Sequence, residues 1–468
     1  MNPLALIFLL VCAGALLGVD RKWAPVPLLI GCTYMTMGQG INIGINLPVY
    51  RLLLLVGVLR VIVKQERLPG GLNTIDKLMI AWGLWTVFCS LFHDAKREGP
   101  VYASGMVFNQ ALPYFLIRIW CTDIEEVGDV IRIIALLLVP LAGEMLAEKL
   151  TGKNIFSVFG KVSFNVLIRD GKLRAQGPFG TPILAGTLGA TCIPLFIGIL
   201  KRHRTEAILG IAAGIFIVFS SASSGPVMSL MAGAGALMLW KWKSGVGILR
   251  KGLVVMYVLL SFVMAKPPYY LISRIDLSGG STGWHRSFLI DRTILFFNEW
   301  WLFGTDKTRH WMPFQGIGAD PNHTDITNYY IAFGVSSGLL GLGLVIWMMV
   351  MAYRWAGKVH DMRIDTRPDD SFMIWCMGAS LFAHTVTGIS VSYFDQTMLY
   401  FWLSVAVISS IYSVIQLEPA TSGREDFEDD DEEEEEDPEA VARANAEWRR
   451  KLRERAASQS LGLPNKLP

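Results

Sequence analysis

Apolar runs of membrane-spanning length recur along this chain, and nothing else in it narrows the possible folds as far. MNPLALIFLLVCAGALLG opens the sequence, and GLLGLGLVIWMMVMAY lies in its second half. A run of roughly 17 to 25 apolar residues matches the hydrocarbon thickness of a bilayer, where each backbone N–H and C=O must be bonded within the spanning structure. Helices meet that condition. Spans are expected near 1–18, 25–43, 47–63, 75–92, 101–120, 128–149, 180–200, 205–221, 224–240, 252–266, 328–353, 371–391 and 396–416, about thirteen in all. Gly38, Gly40 and Pro48 interrupt the second and third. With 52% hydrophobic and 18% charged residues, the composition lies above the apolar fraction of a soluble domain. The expectation is an all-α polytopic membrane protein of about 12–13 transmembrane helices, with a large external loop between late spans.

The first span has no positive charge before it, while Arg21 and Lys22 follow it. That order is the reverse of a secretory signal peptide, so this segment is expected to remain as a span. The other basic clusters are Lys64 to Lys77, Lys201 to Arg204, Lys241 to Lys251 and Arg354 to Arg367. Short loops rich in Lys and Arg stay on the cytoplasmic side. Thirteen spans place all these clusters on that side. The loops 150–179 and 267–327 then fall together on the opposite, external face. Lys96 and Arg97 run against this count, and the 267–327 loop is itself basic, although long loops translocate largely regardless of charge.

Residues 1–417 are thus read as a membrane domain and 418–468 as a cytoplasmic tail. From Glu418 onward there are 16 acidic and 8 basic residues, which leaves the membrane body at about +10. EDFEDDDEEEEEDPE repels itself and lacks apolar residues, so it is expected to be disordered. AVARANAEWRRKLRERAASQ has good helix formers and could dock a cytoplasmic partner. The six cysteines have no CxxC spacing and suit packing better than metal or disulfide roles. No HExxH, P-loop or GxGxxG motif is present, and nothing suggests nucleic-acid binding.

Polar chemistry concentrates between Lys266 and Tyr330. This stretch holds three of the seven histidines (His285, His310, His323), four arginines (Arg274, Arg286, Arg292, Arg309) and Trp284, Trp300, Trp301 and Trp311. In GWHRSFLIDRTILFFNEWWLFG, read as an interfacial helix, Arg286 shares a stripe with Ile290, Thr293 and Phe297. Neither Asp291 nor Glu299 projects from that stripe. The anion that Arg286 needs must come from another segment or from a ligand. Arg174, three residues before Gly177-Pro178-Phe179-Gly180, is held at a span boundary where a phosphate is a natural partner. Snorkelling is the alternative role for it. His323, beside Asp320 and Asp325 ahead of a span, can act as a proton acceptor near neutral pH. His285 and His310 are read as simply polar.

Three stretches together resemble the O-antigen ligase and O-antigen polymerase family of bacterial membrane glycosyltransferases. They are RAQGPFGTP before a span, HR followed by an apolar helix and WWLFG, and a histidine leading into NYYIAFGVSSGLLGL. FNQALPYFLIRIWCTDIEEVGDVIRII is similar to the family's middle region, and the resemblance covers roughly residues 75–410. This chain has Ser224-Gly225 where many members carry S-R-G, and Thr324 where an asparagine often follows the histidine. The resemblance implies a GT-C-like fold with a lipid-facing cavity under a large periplasmic loop. It also implies inverting transfer of a glycan from an undecaprenyl-diphosphate-linked donor to a glycan or lipid-linked acceptor, without metal or other cofactor. Arg174 and Arg286 would bind diphosphate and His323 would serve as the base, with Arg292 and Trp284 as further substrate-binding candidates. The competing expectation is a lipid-linked glycan flippase or polysaccharide transporter. Glu144 in the sixth span and Arg51 at the start of the third are the best residues for it.

Overall fold

The computed structural model describes residues 1–94, 99–274, 283–312, 321–394, 396–416 and Arg450. Asp320, Lys96, Arg97 and the acidic tail lie outside them, Arg450 excepted. The described chain is mostly helical. In order it forms α1 (Pro3–Gly18), α2 (Pro25–Tyr34), β1 (Gly40–Asn42), β2 (Asn46–Pro48), α3 (Val49–Val63), α4 (Thr74–Cys89), α5 (Gly99–Trp120) and α6 (Ile124–Thr151). Then come β3 (Leu167–Arg169), β4 (Lys172–Arg174), α7 (Pro182–Gly198), α8 (Arg204–Ser220), α9 (Ser224–Met238) and α10 (Val246–Val263). The chain continues through α11 (Gly283–Leu295), α12 (Phe297–Trp300), α13 (Tyr329–Arg363), α14 (Pro368–Gly388) and α15 (Thr397–Ile415).

A helix overlaps each expected span, and among the described residues five helices are long and apolar enough to cross a membrane: the one over Thr74–Phe92, and α6, α10, α13 and α15. Leu84 is 70% exposed and Phe262 84%. Apolar surface of this kind is what lipid covers. The second span departs most from expectation. Its helix stops at Tyr34, and residues 40–48 turn back as a β1–β2 hairpin in which Gly40 pairs with Pro48. Gly40 has no room for a side chain, since a Cβ there would collide with the Leu47 carbonyl.

Helix ends follow local capping chemistry. Asn73 and Asp76 form a reciprocal capping box at the start of α4, and the Asp123 side chain accepts from the Glu126 N–H at 2.8 Å to start α6. Gly152 closes α6 in the left-handed conformation at φ 71°. Asn328 caps α13 by accepting from the Ile331 N–H at 3.0 Å.

The bundle is sewn at two ends. At one end Arg60 is buried, donating to Glu66 and to the Val19 carbonyl, and Arg202 pairs with Asp370. Buried Arg118 near Asp76 and Tyr114 belongs to the same end. At the other end Thr36 donates to the Phe159 carbonyl, His93 bonds the Phe303 carbonyl and Arg286 donates to the Ser390 carbonyl. The basic clusters of the short loops gather at the first end and the long polar loops at the second.

The long loop is pinned to a kink in α13. Ser337 and Gly338 leave helical geometry, with Gly338 at φ 67°. The Leu339 N–H donates to the Trp301 carbonyl at 2.8 Å, and the Thr305 N–H to the Val335 carbonyl at 2.7 Å. A Cβ on Gly338 would strike the Leu302 carbonyl, and one on Gly304 the Val335 carbonyl. The glycines of WWLFG and VSSG therefore permit one close backbone crossing.

α10 differs from the other helices of span length. None of its residues is buried, and it packs mainly against the turns at its own two ends. The six cysteines are unpaired and buried, as packing residues should be.

Candidate functional site

Arg174 sits at the end of a tight hairpin. Leu167 pairs with Arg174 and Arg169 with Lys172, across a turn in which Asp170 and Gly171 adopt φ 50° and 72°. Side chains alternate across a strand and cross-strand partners share a face, so Arg169 and Arg174 project to the same side. Arg174 donates through Nε to the Ser221 carbonyl at 3.4 Å and through an Nη to Ser223 Oγ at 2.5 Å.

The turn after it is clamped from three directions. Glu148 of α6 accepts from the Gln176 N–H at 3.0 Å and the Gly177 N–H at 2.6 Å. Asn154 donates to the Gly177 carbonyl at 2.8 Å, and Gln396 to the Pro178 carbonyl at 3.2 Å. Gly177 has φ 58°, which glycine adopts without cost. Glu144, one turn before Glu148, accepts from the Ile155 N–H at 3.3 Å and so also holds this loop.

Arg286 comes from α11. Its Nε donates to the Ser390 carbonyl at 3.0 Å, just beyond the end of α14. Asp291 instead receives a bond from the Tyr269 hydroxyl at 3.1 Å, and Glu299 is engaged by His310 and Trp311 at 2.9 Å. Neither acidic residue of the segment reaches Arg286, as the helical stripe requires.

Arg169, Arg174 and Arg286 line one cavity of about 320 Å³. Asp325 is the one carboxylate among its described lining residues, so three positive charges face one negative. Burial pushes the Arg286 guanidinium below its ordinary value, and the charge of Arg169 pushes it the same way. Arg174 is lowered by burial first and by Arg169 second, with Asp170 opposing. Both shifts run in the direction that a nearby anion would oppose.

The rest of the wall is also donor-rich. Thr181 and Ser223 stand at the N-caps of α7 and α9, line the cavity, and close neither helix with a side-chain bond. Helix N-termini present N–H groups and positive dipole ends, which favour anions. Thr181 Oγ1 and Thr327 Oγ1 are buried lining hydroxyls without a hydrogen-bond partner.

Other sequence candidates fall elsewhere. Trp284 stacks on Phe288 at 5.0 Å, and Arg292 lies over the same ring at 4.5 Å. Positions 284, 288 and 292 form the stripe opposite Arg286, so Trp284 and Arg292 are not among the cavity's lining residues. His323 is exposed and does not line the cavity. Its neighbours are tied away, since the Thr308 N–H donates to the Asn322 carbonyl at 2.9 Å and the Thr324 N–H to Thr308 Oγ1 at 3.0 Å. Asp325, also exposed, is the acidic residue of this stretch that lines the cavity. His285 is half-buried beside it: burial lowers its pKa, Asp325 raises it, and Arg286 lowers it again.

No family model matches the sequence, and no curated protein matches it.

Proposed function

We propose that this protein is a multi-pass, GT-C-like glycosyltransferase of the bacterial inner membrane, of the O-antigen or exopolysaccharide ligase or polymerase type. Its donor would be a glycan on undecaprenyl diphosphate and its acceptor another glycan or a lipid-linked one. The observation that carries the reading is the convergence of Arg169 and Arg174 with Arg286, from segments far apart in sequence, on one small cavity. Two uncapped helix N-termini face the same space.

In this reading the acceptor hydroxyl gives its proton to Asp325, and its oxygen attacks the anomeric carbon. The bond from that carbon to the diphosphate oxygen breaks as the new one forms, which inverts the centre. Negative charge grows on the departing diphosphate, where fixed guanidinium groups stabilise the transition state more than the ground state. The cavity lies at the end of the bundle that carries the long polar loops, and the positive-inside pattern supports a periplasmic position for that end.

Glycan profiling of a deletion strain tests the proposal. Single repeats accumulating on the lipid carrier identify a polymerase, and long unattached chains identify a ligase. Lipid-linked glycan trapped on the cytoplasmic side would overturn both and favour a flippase. Glu144, one of the two residues best suited to that role, instead holds a loop through the Ile155 N–H.

A further inference from the structure

A second, larger chamber of about 900 Å³ adjoins the arginine cavity, and Ser392 and Phe394 line both. It lies between the β1–β2 hairpin and the starts of α3, α5 and α13, at the same end of the bundle. Its volume exceeds what a diphosphate needs and suits one or more sugar rings.

Arg51 and Lys161 are among its described lining residues and no Asp or Glu is. Arg51 lines it, with Nε donating to Asn109 Oδ1 and one Nη to the Asn46 carbonyl, both at 2.9 Å. No carboxylate pairs with Arg51 among the described residues, and none lines the chamber there. Lys161 adds a second positive charge. The amide oxygen of Gln110 accepts from the Tyr329 hydroxyl at 3.0 Å and from Trp402 Nε1 at 3.1 Å. With the oxygens of Asn109 and Gln110 so occupied, what these two lining amides have left to offer a ligand is their NH2 groups. Two cations and two amide donors without a facing carboxylate match an oxygen-rich, negatively charged ligand.

We propose that this chamber is the acceptor site and that it selects a glycan bearing an acidic group, phosphate or carboxylate, placed against Arg51 and Lys161. The assignment as acceptor rests on the glycosyltransferase reading. The shared wall at Ser392 and Phe394 sets an acceptor hydroxyl beside the donor cavity.

The test is binding to the full-length protein in nanodiscs, with digalacturonate, its neutral methyl ester, glucose 6-phosphate and undecaprenyl diphosphate as probes. At least one acidic sugar should bind tenfold or more tightly than the neutral ester, and the comparison of carboxylate with phosphate identifies the acidic group. Arg51→Ala should remove that preference and leave undecaprenyl diphosphate affinity unchanged. Lys161→Asn should weaken acidic-sugar binding about threefold. The backbone at Lys161 has φ 64°, which asparagine adopts readily, so this variant keeps the fold. Equal binding of neutral and acidic sugars, no binding of either, or no effect of Arg51→Ala overturns the proposal. Displacement of both sugar acids by phosphatidylglycerol, dependent on Arg51, also overturns it and makes the chamber a lipid site. Arg286→Lys should weaken undecaprenyl diphosphate alone. Failure of that arm removes the donor reading without touching the acidic-ligand result.

Discussion

Arg286 and Asp325 carry the sharpest residue-level consequences. Arg286→Lys keeps the charge but loses the planar fork that bonds the Ser390 carbonyl while gripping a ligand. Loss of such a contact costs about 2–4 kcal/mol in a water-poor site, or roughly 30- to 1000-fold in rate. Purified transfer should show that fall together with weakened donor affinity. Asp325→Asn should cost on the order of 100- to 10,000-fold in turnover by removing the base, with donor affinity retained. His323→Ala should cost less than about tenfold, since the residue stands outside the cavity. A large loss in His323→Ala with Asp325→Asn spared would return the base to His323. The position of Arg174 and Arg286 at a cavity had a sequence signal, since each is a charge set against an apolar or span-end context. Arg169 carried a signal that was passed over: LIRDGKLR alternates across a D-G turn, and that alternation puts Arg169 on the face of Arg174. That Asp325 rather than His323 lines the cavity was not legible. Which of two residues two positions apart faces a cavity depends on the tie between Thr308 and Thr324, a tertiary contact.

Helices were legible at the level of elements because apolar runs of bilayer length admit few other structures. The short α2 and the hairpin after it were only hinted at by Gly38, Gly40 and Pro48, since the run stays apolar across the break. The clamp on the Arg174 turn was invisible, because Glu148 reads in sequence as one more charge at a helix end. Its two oxygens accept from the Gln176 and Gly177 N–H groups, which fixes the turn between β4 and α7. Hydrogen bonds to a charged group contribute about 1.5–3 kcal/mol each. Glu148→Gln keeps one acceptor oxygen, so it should loosen the turn rather than unfold the bundle. Donor affinity should fall roughly 10- to 100-fold, the equivalent of one such bond. Unchanged donor affinity would show that Arg174 is positioned by its bonds to Ser221 and Ser223 alone.

For the whole molecule, the division between two ends has a direct consequence for the tail. Near the end of α15, Tyr412 lies beneath Lys358, at the end of the bundle remote from both cavities. A chain truncated after Gln416 should insert and transfer glycan at the wild-type rate, measured on purified protein. A folded truncation without transfer would tie the acidic segment to catalysis. The isolation of α10 leads further. At 18 residues it is about 27 Å long, near the roughly 30 Å of a hydrocarbon core. None of its residues is buried, so its tilt is expected to follow membrane thickness. The turn Pro268–Arg274 follows it, and α11 with Arg286 rests on that turn, where a Cβ on Gly283 would touch the Ile272 carbonyl. Because α11 rests on the turn that follows α10, a change in the tilt of α10 is expected to move Arg286. Reconstitution in lipids of graded acyl length should give a turnover optimum that shifts when two residues are added to α10, whereas the same insertion in the well-packed α15 should abolish folding.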